Sequence, residues 1–468
     1  MSLSASAPPD EAALDTLRAQ VRGTVLVPDD EGYEEARTVW NAMIDARPAV
    51  VARVAGAADV MAAVAFAREH GLELAVRGGG HNVAGTAVAD GGLVVDCSPM
   101  DSVRVDPDAR RAWVEPGARI HDVDVETQAH DLAVPAGFVS TTGIAGLTLG
   151  GGFGYLSRKH GLTVDSLRSV ELVTADGEFV RASEDEHSEL FWALRGGGGN
   201  FGVVTAFEFD LHDLASPILA GPVAYHLDDA PAVLRELTAA VDAASDEVAC
   251  LVAMRQAPPA PFLPDDVHGA PVLLVVLLYA GDVADGEDAL APLRAIGDPI
   301  ADAVGPKPYA VFQTAFDEAS APGARNYWKA HYLPRLSDAA IDAMCGAAAD
   351  IESPETTLGM MAMGGEIACR RADATPYQHR DAEWAVNIQS RWREADEDDE
   401  HVAWARDAFD ALTPHATGGV YVNFISRDER ERVHDAFDAE TYERLAAVKA
   451  EWDPENAFHR NQNIEPAG

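Results

Sequence analysis

Apolar and polar positions along the chain fall into three zones with different periods. Over residues 35–215, short apolar runs alternate with helical spacings and glycine is dense in the connections, which predicts α/β structure. The clearest unit covers 57–77. Val60, Ala63, Val64 and Ala67 recur at helical spacing, Gly71 is placed to end the helix, and Leu72–Val76 reads as a strand. From 216 to 410 the alternations lengthen. Leu251–Met254 and Val272–Tyr279 read as buried strands, and 230–244, 285–296 and 337–350 as amphipathic helices. That order predicts an antiparallel sheet covered by helices on one face, an α+β arrangement. The last zone, 411–468, predicts a strand over Gly419–Ile425, a helix over Thr441–Trp452 and a tail. Residues 1–34 read as an N-terminal extension, and the Pro-rich 256–266 as a loop.

Composition narrows the classes of function. The chain has 468 residues, enough for two or three cores. No uncharged apolar run of about 18 residues occurs, so no membrane span is expected. The start, MSLSASAPPDEAALD, lacks the basic flank and apolar stretch of a secretory signal. The 4 cysteines form no CxxC pair, which points to a reduced, cytoplasmic protein. Formal net charge is −42, and Lys159, Lys307, Lys329 and Lys449 are the only lysines. Such a surface repels nucleic acid and anionic lipid, so neither is an expected partner. The acidic side chains are dispersed, which suggests adaptation to high salt; the run 394–400 reads as a solvated helix start. His121, His130 and His160 show no metal-ligand spacing, so no metal is assigned.

The chemistry concentrates in three glycine-rich loops of the first zone: VRGGGHNVAG (76–85), PAGFVSTTGIAGLTLGGGFGYLSRKHG (135–161) and RGGGGNFGVVTAFEF (195–209). Glycines let backbone N–H groups approach an anion closely and reach positive φ. One such loop is commonly a tight turn, but three in one zone suggest a cradle for a phosphate-rich ligand. Neither GxxxxGK[ST] nor a helix-opening GxGxxG is present, so the usual nucleotide loops are not matched. His81 sits in the first loop, where a neutral imidazole is a candidate nucleophile toward a bound electrophile.

At these residues the chain resembles the berberine-bridge-enzyme-like FAD-linked oxidases of the vanillyl-alcohol-oxidase superfamily, nearest the bacterial 6-hydroxy-D-nicotine oxidase type around His81. The resemblance runs from WNAMIDARPAVVARV (40–54) through the three loops to YVNFISRD (421–428) and WDPENAFHRNQNIEP (452–466). It implies a PCMH-type FAD-binding domain of two α/β subdomains, built from 35–215 and completed by 411–468. The substrate-binding domain, 216–410, would roof the isoalloxazine. Arg77, Gly78, Gly79, Gly80, His81, Asn82 and Gly85 would cradle the pyrophosphate, with His81 bonded to the flavin 8α-methyl group. Gly137, Thr141, Thr142, Gly143, Gly146, Leu147, Gly150, Gly151, Gly152 and Gly154 would line the cofactor's other side. Gly202, Val204, Asn461 and Gln462 would complete the site.

Departures from the family pattern matter. Val139 stands where bicovalent members carry cysteine, so a single histidyl bond is implied. Thr142 occupies the position linked to oxygen access, where oxidases often have valine. Cys369 stands where plant members carry a catalytic glutamate. The resemblance implies oxidation of a C–H next to oxygen or nitrogen in a small organic substrate, with hydride passing to the flavin. Tyr421 and Asn423, on one face of the expected strand, are the candidate proton acceptor or substrate orienter and polar contact; Tyr421 also reads as a buried structural tyrosine. Glu366 is a second candidate base if held in an apolar roof. His379 and Arg380 read as structural. Three alternatives stay open: a dehydrogenase serving a quinone or protein acceptor, a catalytically silent FAD-binding protein, and a non-flavin nucleotide-binding module. A homo-oligomer is compatible with the sequence, and the substrate is not legible in it.

Overall fold

The computed structural model describes residues 9–468; residues 1–8, part of the polar start and of the expected extension, lie outside them. The Ala57–His70 helix buries Val60, Ala63, Val64 and Ala67, as the spacing predicts. Gly71 stops it at φ 60°, where its N–H still reaches the carbonyls of Ala67 and Arg68. The chain then enters the strand Leu74–Arg77, parallel to Leu93–Asp96, which is in turn parallel to Val50–Arg53. Thr24–Leu26 adds an antiparallel edge to this sheet. Part of the expected N-terminal extension is therefore built into the first lobe, since Leu14, Leu17 and Val25 share its core with Val60 and Val95. The first glycine loop leaves the carboxyl end of Leu74–Arg77, the usual place for ligands on a parallel sheet.

A second lobe is wholly antiparallel, in the order Val103–Asp106, Arg111–Val114, Val203–Asp210, Leu167–Val173, Phe179–Ser183. The third glycine loop runs straight into Val203–Asp210.

The middle zone builds one 8-stranded antiparallel sheet, in which Val248–Gln256, Thr357–Ala362 and Trp384–Trp392 follow one another and Arg325–Leu333 forms the edge beside Trp384–Trp392. Helices Ala230–Ala243, Asp338–Ala349 and Asp398–Leu412 cover one face, packing Leu237, Met344 and Ala405 against Val252, Met360 and Ile388. Alternate strand residues take opposite faces, so Leu251 and Met361 turn away from the helices to pack near Phe153 and Tyr421. The acidic run 394–400 does open a helix, but Asp398 is more than a solvated charge: it receives Arg325 Nε at 2.5 Å and Trp392 Nε1 at 2.9 Å. Arg380 ties the middle zone to the first. Its guanidinium donates to both oxygens of buried Asp165 at 2.9 Å, across 215 residues.

The C-terminal zone returns to the second lobe, where Val420, Val422, Ile425 and Leu445 share a core with Phe207 and Phe209. Gly419–Ile425 is not the expected strand. It bends through a 3₁₀ turn at Val422–Phe424, closed by Phe424 N–H donating to the Tyr421 carbonyl at 2.9 Å. Tyr421 faces the large sheet while Val420, Val422 and Ile425 pack into the second lobe, and Phe424 packs against both. Among the described residues no helix is long and apolar enough to cross a membrane.

Candidate active site

The floor of a long cleft between the two lobes and the large sheet is backbone. Gly78, Gly79 and Gly80 lie on its wall together with Gly143 and Gly146 of the second loop. The two loops touch back to back at Gly79 and Gly143, where a Cβ on either residue would strike the other's backbone. Gly80 adopts φ 66°, which turns the chain into His81. Asn82 then caps the turn, its Oδ1 accepting from Ala84 N–H at 2.9 Å.

His81 lies flat against Trp40, with ring centroids 4.3 Å apart and planes 19° apart. Its Nε2 is buried and has no hydrogen-bond partner. Burial pushes the imidazole pKa down to about 4, helped by the nearby Arg391 and Arg119 charges, against an opposing backbone hydrogen bond. His81 is therefore neutral at neutral pH, with a ring nitrogen free to react.

Tyr421 and Asn423 meet at the cleft, although no strand brings them there. The Tyr421 hydroxyl accepts from Gly152 N–H at 3.0 Å and from Asn423 Nδ2 at 2.9 Å. Asn423 Nδ2 also lies 3.2 Å from the Gly146 carbonyl, tying the Ile144–Leu149 helix to the tyrosine. Burial pushes the phenol up to about 12, opposed by the Gly152 and Asn423 donors, so the hydroxyl is protonated at neutral pH.

The roof comes from the large sheet. Trp328 and Gln389 are cross-strand partners on the face turned from the helices, and both reach the cleft wall. Trp328 Nε1 is buried without a partner. Phe138, Phe153 and Phe424 complete an aromatic wall, and among the described residues Arg460 is its one permanently charged side chain.

Of the residues singled out in the sequence, the cleft wall gathers Gly78, Gly79, Gly80, His81, Asn82, Gly137, Thr142, Gly143, Gly146, Leu147, Gly202, Val204, Tyr421, Asn423, Asn461 and Gln462. Arg77, Gly85, Thr141, Gly150, Gly151, Gly152 and Gly154 are not on it. Arg77 reaches back to the Ala36 carbonyl at 2.5 Å. Gly150 and Gly151 make room for the side chains of Asn423 and Tyr377, so this glycine run seats the tyrosine cluster. Glu366 opens the short helix Glu366–Cys369, half-buried and off the wall, and so is not the carboxylate in an apolar roof expected from sequence. Sequence reasoning missed Trp40, Trp328 and Gln389. Trp40 carried a signal, since it opens the 40–54 block; Trp328 and Gln389 carried none, because their meeting depends on strand register.

Comparison with known proteins agrees with this geometry. Residues 48–183 match the family described as FAD binding domain, and 420–465 the family described as berberine and berberine like. Glucooligosaccharide oxidase of Sarocladium strictum is 28% identical, covering 94% of this chain and 91% of that protein. The crystal structure of 6-hydroxy-D-nicotine oxidase from Arthrobacter nicotinovorans superposes with a TM-score of 0.87 at 31% identity, covering 96% of this chain and 98% of that one. FAD fits the residues present: close-packed glycine backbone on the floor, and the unpartnered His81 Nε2 and Asn461 Oδ1 on the wall. At 32% identity to the (R)-6-hydroxynicotine oxidase of Paenarthrobacter nicotinovorans, over 96% of this chain and 98% of that protein, the chain belongs to the berberine-like family of FAD-linked oxidoreductases.

Proposed function

We propose that this protein holds FAD covalently through His81 and oxidises a C–H next to nitrogen or oxygen in a small, uncharged organic molecule, with dioxygen as electron acceptor. The observation that carries the reading is one cleft joining a neutral, unpartnered His81 to the Tyr421–Asn423 pair. Bound flavin supplies the hydride acceptor. Val139 lines the same cleft where bicovalent members carry cysteine, and the one thiol on the wall, Cys97, is buried and held protonated, which leaves His81 as the proposed attachment point.

Tyr421 acts by orientation. With its oxygen already accepting two N–H donors, its own hydrogen is left to donate to a substrate nitrogen or oxygen. Among the described residues no carboxylate lines the cleft. A neutral amine gives up hydride without a base, whereas an alcohol must also lose its hydroxyl proton. Cyclic amines therefore lead the candidate substrates, ahead of aromatic alcohols and sugars. The relatives, one named for a hydroxynicotine and one for glucooligosaccharides, bracket that range.

The cellular setting belongs to the same proposal. All 4 cysteines are free, which suits a reduced cytoplasm, and a net charge of −42 suits high salt. The function is tested by screening amines, aromatic alcohols and sugars for hydrogen peroxide release. Tyr421→Phe should lower kcat/KM by about 100-fold on the best substrate with flavin content unchanged. Wild-type turnover in Tyr421→Phe would remove the tyrosine from the reaction. Substrate oxidation seen only with a quinone would replace the oxidase by a dehydrogenase.

A further inference from the structure

Trp40 and Asn41 connect the His81 loop to the middle zone of the chain. On one side they hold the His81 loop: Trp40 N–H donates to the Gly80 carbonyl at 3.1 Å, and Asn41 Nδ2 to the Val83 carbonyl at 2.7 Å. On the other side they hold the substrate-binding domain. Trp40 Nε1 donates to the Ser320 carbonyl at 2.6 Å, and Asn41 Nδ2 to the Asn326 carbonyl at 2.9 Å. Asn41 Oδ1 accepts from Asn326 N–H at 3.0 Å, and Ala42 N–H donates to the Ala324 carbonyl at 2.9 Å.

The indole is packed by two charged or polar side chains and a second indole. His81 stacks on it at 4.3 Å, and the Arg391 guanidinium lies 5.2 Å from its ring centre. Trp328 meets its edge at 5.4 Å. Arg391 is itself buried and held by Glu355 through Nε at 2.9 Å. The imidazole plane of His81 is thus set by a ring whose polar contacts run to residues some 280 positions away.

We propose that Trp40 and Asn41 are positioning residues through which the docked substrate-binding domain fixes the His81 imidazole for flavin attachment. The inference rests on the covalent reading given above. Attachment joins a His81 ring nitrogen to the flavin 8α-carbon. One hydrogen leaves that carbon and one the other ring nitrogen, and the two electrons pass to dioxygen, which becomes hydrogen peroxide. Correct ring orientation matters because bond formation needs the nitrogen lone pair aimed at one carbon. Arg391 contributes twice: it clamps the indole, and its charge disfavours imidazolium, keeping that lone pair available.

The test uses the full chain, produced under riboflavin limitation and then mixed with FAD. Acid-precipitable flavin is followed with time, beside total bound flavin and the melting temperature. Wild type and Trp40→Phe, which keeps a stacking ring, should attach flavin at similar rates. Trp40→Leu, which keeps apolar bulk, and Asn41→Ala should still bind FAD but attach it about tenfold more slowly or worse. Attachment by Trp40→Leu at the wild-type rate would overturn the inference alone. So would equal slowing in Trp40→Phe and Trp40→Leu that tracks the melting temperature. Wild-type protein that never acquires acid-stable flavin would bring down this inference together with the covalent reading.

Discussion

The floor of the cleft is backbone and its roof is side chain, and the two respond differently to substitution. On the floor, Gly79 and Gly143 abut with no room for a Cβ, so the cradle has one shape. On the roof, Trp328 and Gln389 stand on neighbouring strands of a sheet buried against helices on its other face. Roof side chains can change without moving the sheet. On the function proposed, the floor holds the cofactor that the family shares, and the roof meets the substrate.

The largest effect that sharpens this contrast is expected from Gly79→Val. Forcing the two loops apart should cost upward of ~2 kcal/mol in stability and abolish flavin retention. A yellow, stable Gly79→Val protein would show that the floor yields. On the roof, Trp328→Leu and Gln389→Leu should each raise KM by about threefold to tenfold, through lost hydrogen bonding or stacking, with flavin content unchanged. Loss of flavin in either variant would break the division between floor and roof.

A smaller effect concerns the His81 imidazole. In flavin-free protein the His81 pKa of about 4 lies below its unfolded value near 6.5, so the unfolded chain binds the extra proton first as pH falls. His81 thus costs stability between pH 6.5 and about 4, by about 1 kcal/mol per pH unit. Urea unfolding of His81→Gln should show a correspondingly shallower acid loss; identical slopes would place the imidazole in solvent. The smallest effect belongs to Glu366→Gln, whose kcat should stay within about twofold of wild type because the side chain is off the wall.

The same contrast explains what was legible in the sequence. The floor lies in contiguous motifs, and a glycine cluster after the Leu74–Arg77 strand carries its own physical reason. The roof depends on Trp328 meeting Gln389, which only the 325–333 and 384–392 register decides. The YVNF segment shows how local propensity misleads. Its β-branched and aromatic residues read as a strand, yet the segment is held by Tyr421 and Asn423 side chains against Gly152 and Gly146 rather than by a ladder. The glycines at 150–152 were legible as close-approach positions, but what approaches them is Asn423, Tyr377 and Thr163. Trp40 became meaningful only once the fold stacked it on His81.

The central claim, that this is a flavoenzyme bonded to its cofactor through His81, is tested most directly by the visible spectrum before and after acid precipitation. Yellow colour that stays with the wild-type precipitate, and passes to the supernatant in His81→Ala, is the predicted result. Colour that acid releases from the wild type would contradict it.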